Sequence, residues 1–163
     1  MAAGYSLREV GALGVNRRAA EFGVSEEAAN AVIAAFAAHY NVHCDDATGP
    51  YPGILALLRR LKAAGVQIAV VSNKLDEAVQ VLNRVHFEGL FEEAKGERAD
   101  IRRKPAPDMV FAVLASLGLK PEEAVYIGDT EVDMETARNS GMDCISVSWG
   151  FRSREALEAL GAT

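Results

Sequence analysis

The 163-residue chain is half apolar and one-quarter charged, and its 17 Lys+Arg against 23 Asp+Glu give a net charge of −6. That is enough apolar material for the core of one soluble domain, or of a domain with a small appendage. The acidic balance argues against nucleic-acid or anionic-membrane binding, although a local pocket for a small anion can still be positive.

The first 45 or so residues read as helical. Ser6 can cap a segment running through Leu7, Val10, Leu13 and Val15 toward Phe22, with Gly23 as its stop. Ser25 caps a second helix, with Glu26 and Glu27 in the first turn where the helix dipole favours negative charge. The polar stretch Asn41–Gly53 reads as a linker. From Pro52 onward helix and strand alternate. A helix opens at Pro52 or Gly53 and closes at Gly65. V-Q-I-A-V-V (66–71) is a strand, and L-D-E-A-V-Q-V-L-N-R-V an amphipathic helix. F-E-E-A-K-G-E-R-A is polar, and at best an edge strand. P-D-M-V-F-A-V-L-A-S-L is a helix stopped by Gly118. Strands at 124–128 and 143–148 flank a further helix, and R-E-A-L-E-A-L is the last.

Short apolar strands alternating with helices of about ten residues indicate parallel β-α units. The expected fold is α/β: a three-layer, Rossmann-like core with a parallel sheet over 49–163, preceded by a partial helical cap over 1–48. Cys44 and Cys144 have no metal-type spacing and are read as reduced thiols. No run approaches the ~20 apolar residues of a bilayer span. No basic-then-apolar leader is visible at the N-terminus, and a cytoplasmic location is expected.

Ligands of an open parallel sheet bind beyond the carboxyl ends of its strands. Three features fall there. Asp129 ends the strand V-Y-I-G, and Asp133 lies one helical turn later. Together they can hold Mg²⁺, which takes one or two carboxylates plus waters and phosphate oxygens. Thr130 and Asp133 equally form a capping-box pattern. Ser72 and Asn73 follow a strand, where a hydroxyl and backbone N–H groups can cradle an anion or simply cap a helix. Lys104, pinned by Pro105 and Pro107, can neutralise phosphate or belong to a solvated basic turn with Arg102 and Arg103.

Taken in order, strand-Ser-Asn-Lys, Lys-Pro-x-Pro-Asp and strand-Gly-Asp-Thr-x-x-Asp resemble the haloacid dehalogenase superfamily, and most closely its phosphoglycolate-phosphatase-like members. The resemblance covers residues 50–150 well, and 7–45 look like part of that family's helical cap. It implies a Mg²⁺-dependent phosphatase of small phosphorylated metabolites such as phosphoglycolate. Ser72 would bind phosphoryl oxygens with the Asn73 backbone beside it. Lys104 would neutralise the phosphate and the nucleophile. Asp129 would ligate Mg²⁺ directly, and Asp133 directly or through water. The route would be a covalent aspartyl-phosphate one. Gly128-Asp129 argues against a metal-free dehalogenase, whereas a phosphomutase would share most of these residues.

The family's first motif, a strand followed by D-x-D-G-T/V whose first Asp is the nucleophile, is not in this sequence. C-D-D-A-T (44–48) lacks the D-x-D spacing, and a polar linker precedes it. In the family that strand lies between those carrying the Ser72-like and Asp129-like residues. Three outcomes are open: the flanking strands close on each other, a second molecule pairs with them, or an upstream segment has been omitted. The last is expected first. The chain alone is expected to be inactive. The rival reading is a non-catalytic phosphate- and Mg²⁺-binding or interaction protein, with self-association through exposed sheet edges.

Overall fold

The computed structural model describes residues 25–162, so the helix expected over 7–22 lies outside the described residues. The chain divides into two compact units, residues 1–43 and 44–163. In the first unit, Ser25 accepts a hydrogen bond from Ala28 N (3.3 Å) at the start of helix α1, Glu26–His43. Its Phe36 and Tyr40 rings, one turn apart, stack at 5.4 Å.

The second unit alternates as the sequence indicates. Helix α2 (Ile54–Ala63) follows Gly53, whose φ of 84° is left-handed and suits a residue without Cβ. Strand β1 (Ala69–Leu75), helix α3 (Asp76–His86) and strand β2 (Glu93–Glu97) come next. Helix α4 (Asp108–Leu117), strand β3 (Val125–Gly128), helix α5 (Glu131–Ser140), strand β4 (Asp143–Ser146) and helix α6 (Arg154–Ala159) complete it. The left-handed glycines Gly118 and Gly141 end α4 and α5. Asp45, in the stretch read as a linker, pairs with His86 at the end of α3, which ties that stretch to the α/β unit.

The strands form two separate parallel pairs, β1 with β2 and β3 with β4. The polar segment 93–97 is therefore a true strand, in register with β1 from Ala69↔Glu93 to Val71↔Lys95. Beyond Val71 the register slips. Between the pairs Val71↔Lys95 and Leu75↔Glu97, three residues of β1 stand against the single Gly96 of β2, so Ser72, Asn73 and Lys74 leave the ladder. The strand thus sits three residues later than the apolar run 66–71 suggests, because pairing with β2 begins only at Ala69.

The core lies on one face of β3. Tyr126 packs with Val110 and Leu114 of α4 and Ala137 of α5, and Val71 of β1 packs against the same group. The opposite face is uncovered among the described residues: Val125 is 47% exposed, Ile127 56% and Ile145 51%. Ile54, Leu55, Leu58 and Leu61, the apolar stripe of α2, are only half-buried. Strands of a parallel sheet are ordinarily buried on both faces. Here β1 and β3 do not pair with each other, so among the described residues their other edges carry no ladder. No described helix is long and apolar enough to cross a membrane.

Candidate active site

Ser72 and Asn73 lie in the irregular second half of β1, Lys104 in the turn before α4, Asp129 just past β3 and Asp133 in the first turn of α5. The slip after Val71 turns Ser72 and Asn73 off the ladder, as bulges do where a side chain must be re-aimed. The Ser72 hydroxyl oxygen accepts Lys74 N at 3.1 Å, which leaves its hydrogen to donate elsewhere. Asn73 does something the sequence did not foretell. Its amide nitrogen donates to the Lys104 carbonyl (3.0 Å), and its oxygen accepts Lys104 N (2.9 Å). One side chain thus holds both backbone polar groups of a residue 31 positions away.

Lys104 precedes a cis peptide to Pro105. Its ammonium lies 2.7 Å from Asp133 Oδ1 and 5.9 Å from the centre of the Tyr126 ring. The Lys104 and Asp133 side chains are only 13% and 9% exposed, so this is a buried ion pair rather than a solvated basic turn. One of three ammonium hydrogens serves Asp133, and two remain for an anion.

Both Asp133 oxygens are filled. Oδ1 accepts Lys104 Nζ and the Tyr126 hydroxyl (3.2 Å). Oδ2 accepts Thr130 Oγ1 (2.7 Å) and the backbone N–H groups of Asp129 and Thr130 (3.2 Å each). The Thr130 hydroxyl in turn accepts Asp133 N at 3.4 Å, so the capping box is formed. Burial pushes this carboxyl up, but the Lys104 ammonium and the donors on both oxygens outweigh it and hold it below the ordinary range. Burial, together with the adjacent carboxylate, pushes the Tyr126 phenol up, so it stays protonated and donates.

Asp129 is arranged differently. Its Oδ2 accepts Phe151 N at 2.7 Å, and Oδ1 accepts no hydrogen bond from a described group. Of the two carboxylates, Asp129 therefore keeps an oxygen open at the ligand edge and Asp133 does not. Gly128 makes this possible: a Cβ there would lie 2.2 Å from Asp133 Cβ, so only glycine lets α5 fold back onto the strand end. Among the described residues no group of three or more His, Cys, Asp or Glu converges on a cation position. What the chain offers Mg²⁺ is one open carboxylate oxygen beside a filled one. That fits a hard cation whose other ligands are waters, phosphate oxygens and groups from elsewhere.

Asn73, Lys104, Asp133 and Asp129 thus form one continuous hydrogen-bonded chain, with Ser72 adjacent in sequence. Sequence reasoning passed over Trp149-Gly150-Phe151, which follows β4 and lies against Asp129. A glycine between two aromatics just past a strand was the available signal.

The sequence model of the haloacid dehalogenase-like hydrolase family matches residues 7–147. The phosphoglycolate phosphatase of Rhodospirillum rubrum is 34% identical over 142 residues, covering 84% of this chain and 57% of that protein. That of Aquifex aeolicus is 36% identical over 117 residues, 71% of this chain and 55% of that protein. A crystal structure from Lactobacillus delbrueckii subsp. bulgaricus, of a protein assigned as a phosphoglycolate phosphatase, superimposes with a TM-score of 0.81 at 51% identity. It covers 86% of this chain and 59% of that one. The chain therefore spans somewhat over half the length of these relatives.

Proposed function

Because this chain belongs to the haloacid dehalogenase-like hydrolase family, we propose that it carries the phosphate- and metal-binding half of a Mg²⁺-dependent phosphomonoester hydrolase. Its substrate would be a small phosphorylated metabolite, with phosphoglycolate the leading candidate from the relatives' activity. The observation that carries this reading is the hydrogen-bonded chain Asn73–Lys104–Asp133–Asp129, which has the Lys104–Asp133 ion pair at its shielded centre. A capping box alone needs neither a buried lysine nor an asparagine clamped to that lysine's backbone.

In this reading Lys104 is a fixed cation for phosphate oxygens. Asn73 sets its backbone, and Asp133 sets its ammonium. Ser72 donates its hydroxyl to a phosphate oxygen. Asp129 presents Oδ1 to Mg²⁺, and Asp133 acts through water or by orienting Lys104, since its own oxygens are filled. Mg²⁺, when bound, would neutralise charge developing on the transferred phosphoryl group. The attacking carboxylate comes from outside this sequence, which has no D-x-D. The open edges of β1 and β3 are where the strand bearing it would pair, from an upstream segment or another molecule, and the helical unit before Cys44 would act as part of a cap. Alone, the chain is a binder: calorimetry should detect Mg²⁺ and inorganic phosphate binding that Asp129→Ala and Lys104→Ala respectively remove. No binding of either would sink the reading.

A further inference from the structure

The segment joining β4 to α6 crosses the end of β3 and is fastened there three times. Val147 N donates to the Gly128 carbonyl at 2.9 Å. Phe151 N donates to Asp129 Oδ2 at 2.7 Å. Arg152 makes a two-pronged pair with Glu131, at 2.7 Å from Nε and 2.5 Å from Nη2. Between these ties the 150–151 peptide lies directly on the Asp129 carboxylate. A Cβ on Gly150 would sit 2.0 Å from Asp129 Oδ2 and 2.5 Å from its Cγ. No side chain is tolerated there without moving either the turn or the carboxylate. Trp149 and Phe151 themselves are exposed, so neither aromatic ring explains why the turn is held so closely.

We propose that the Trp149–Arg152 turn positions Asp129 as a cation ligand. The Phe151 N–H fixes Oδ2, Gly150 provides the closeness this requires, and Oδ1 is thereby aimed outward. A carboxylate free to rotate would have to be ordered at the moment of binding, whereas this one is oriented beforehand, as the outer partners of metal ligands generally do. Because the turn and the cation act on one carboxylate, their effects are reciprocal: whatever loosens the turn weakens cation binding, and cation binding tightens the turn. Trp149 is the only tryptophan in the chain, so its emission reports on that turn alone.

The inference rests on the Mg²⁺ reading of Asp129, and the experiment separates the two. Mg²⁺ is titrated into the full chain and its variants, followed by calorimetry and by Trp149 emission. In the unmodified chain both signals should share one midpoint, and Asp129→Ala should remove both. Gly150→Ala should weaken Mg²⁺ affinity roughly tenfold to a hundredfold, the range for loss of a ligand's outer partner, with an unchanged far-ultraviolet dichroism spectrum. Phe151→Pro, which deletes the N–H and leaves Gly150 in place, is the second variant should Gly150→Ala fail to fold, and should weaken binding similarly. Phe151→Ala, which keeps the N–H, should bind as the unmodified chain does. Unchanged affinity in Gly150→Ala and Phe151→Pro overturns the positioning role while the metal reading stands. Absence of any Mg²⁺ response in the unmodified chain overturns both.

Discussion

Replacing Asp133 with alanine removes, in one step, the acceptor for five donors. The Lys104 ammonium loses its partner while remaining largely buried, and Tyr126, Thr130 and two backbone N–H groups lose theirs. Breaking a buried ion pair by removing one partner costs about 3–5 kcal/mol, mostly from the charge left uncompensated. The reciprocal arm of the capping box goes with it and overlaps with that figure, while the Thr130 hydroxyl still caps the backbone N–H of residue 133. Against a total stability of about 5–15 kcal/mol, Asp133→Ala is a severe lesion. Urea unfolding at pH 7, followed by far-ultraviolet dichroism and by Trp149 emission, measures it. Because the stranded charge dominates, adding Lys104→Met should recover part of the loss, with a coupling energy of at least ~1 kcal/mol. A loss under ~1 kcal/mol for Asp133→Ala, or strictly additive losses in the double variant, would refute the buried-pair argument.

Three further outcomes are expected. Asp133 is held below its unfolded value of 3.8, so its stabilising effect is fully present above that value and fades as pH falls through the lower folded one; acid unfolding profiles should lose this component in Asp133→Asn. Asn73→Ala should cost about 1–2 kcal/mol for two lost hydrogen bonds and weaken phosphate binding measured by calorimetry, because the backbone of Lys104 is no longer held. The uncovered face bearing Val125, Ile127 and Ile145 should make the chain associate with concentration in light scattering. Ile127→Lys should reduce that association at a stability cost within about 0.5 kcal/mol, and an equal tendency to associate would count against this face.

Much of the fold is legible because it is local. Gly53, Gly118 and Gly141 mark helix ends through backbone conformation alone, and the short apolar runs at 124–128 and 143–148 mark strands through their length and their β-branched residues. Even the polar strand 93–97 was visible as an edge candidate, though its parallel pairing with β1 depends on long-range register. The order of Ser72, Lys104, Asp129 and Asp133 along the chain pointed to the candidate site, and the fold brings Lys104 and Asp133 together there. What the sequence withheld is the sharing of oxygens. Thr130-x-x-Asp133 reads equally as a cap or a metal pair, and only the third dimension shows the cap formed, with Lys104 and Tyr126 on the remaining oxygen. The Asn73 grip on Lys104 and the Phe151 contact with Asp129 join residues 31 and 22 apart. No periodicity encodes such pairs, and Gly150 is meaningful only once the Asp129 carboxylate is seen against it.

As proposed, the chain would bind phosphate and Mg²⁺ without itself supplying the attacking carboxylate. The most direct test is phosphate release from phosphoglycolate and p-nitrophenyl phosphate by the pure, homogeneous 163-residue chain with saturating Mg²⁺. Release indistinguishable from buffer is expected. Robust Mg²⁺-dependent turnover would contradict it, since a nucleophile would then have to exist among the residues present.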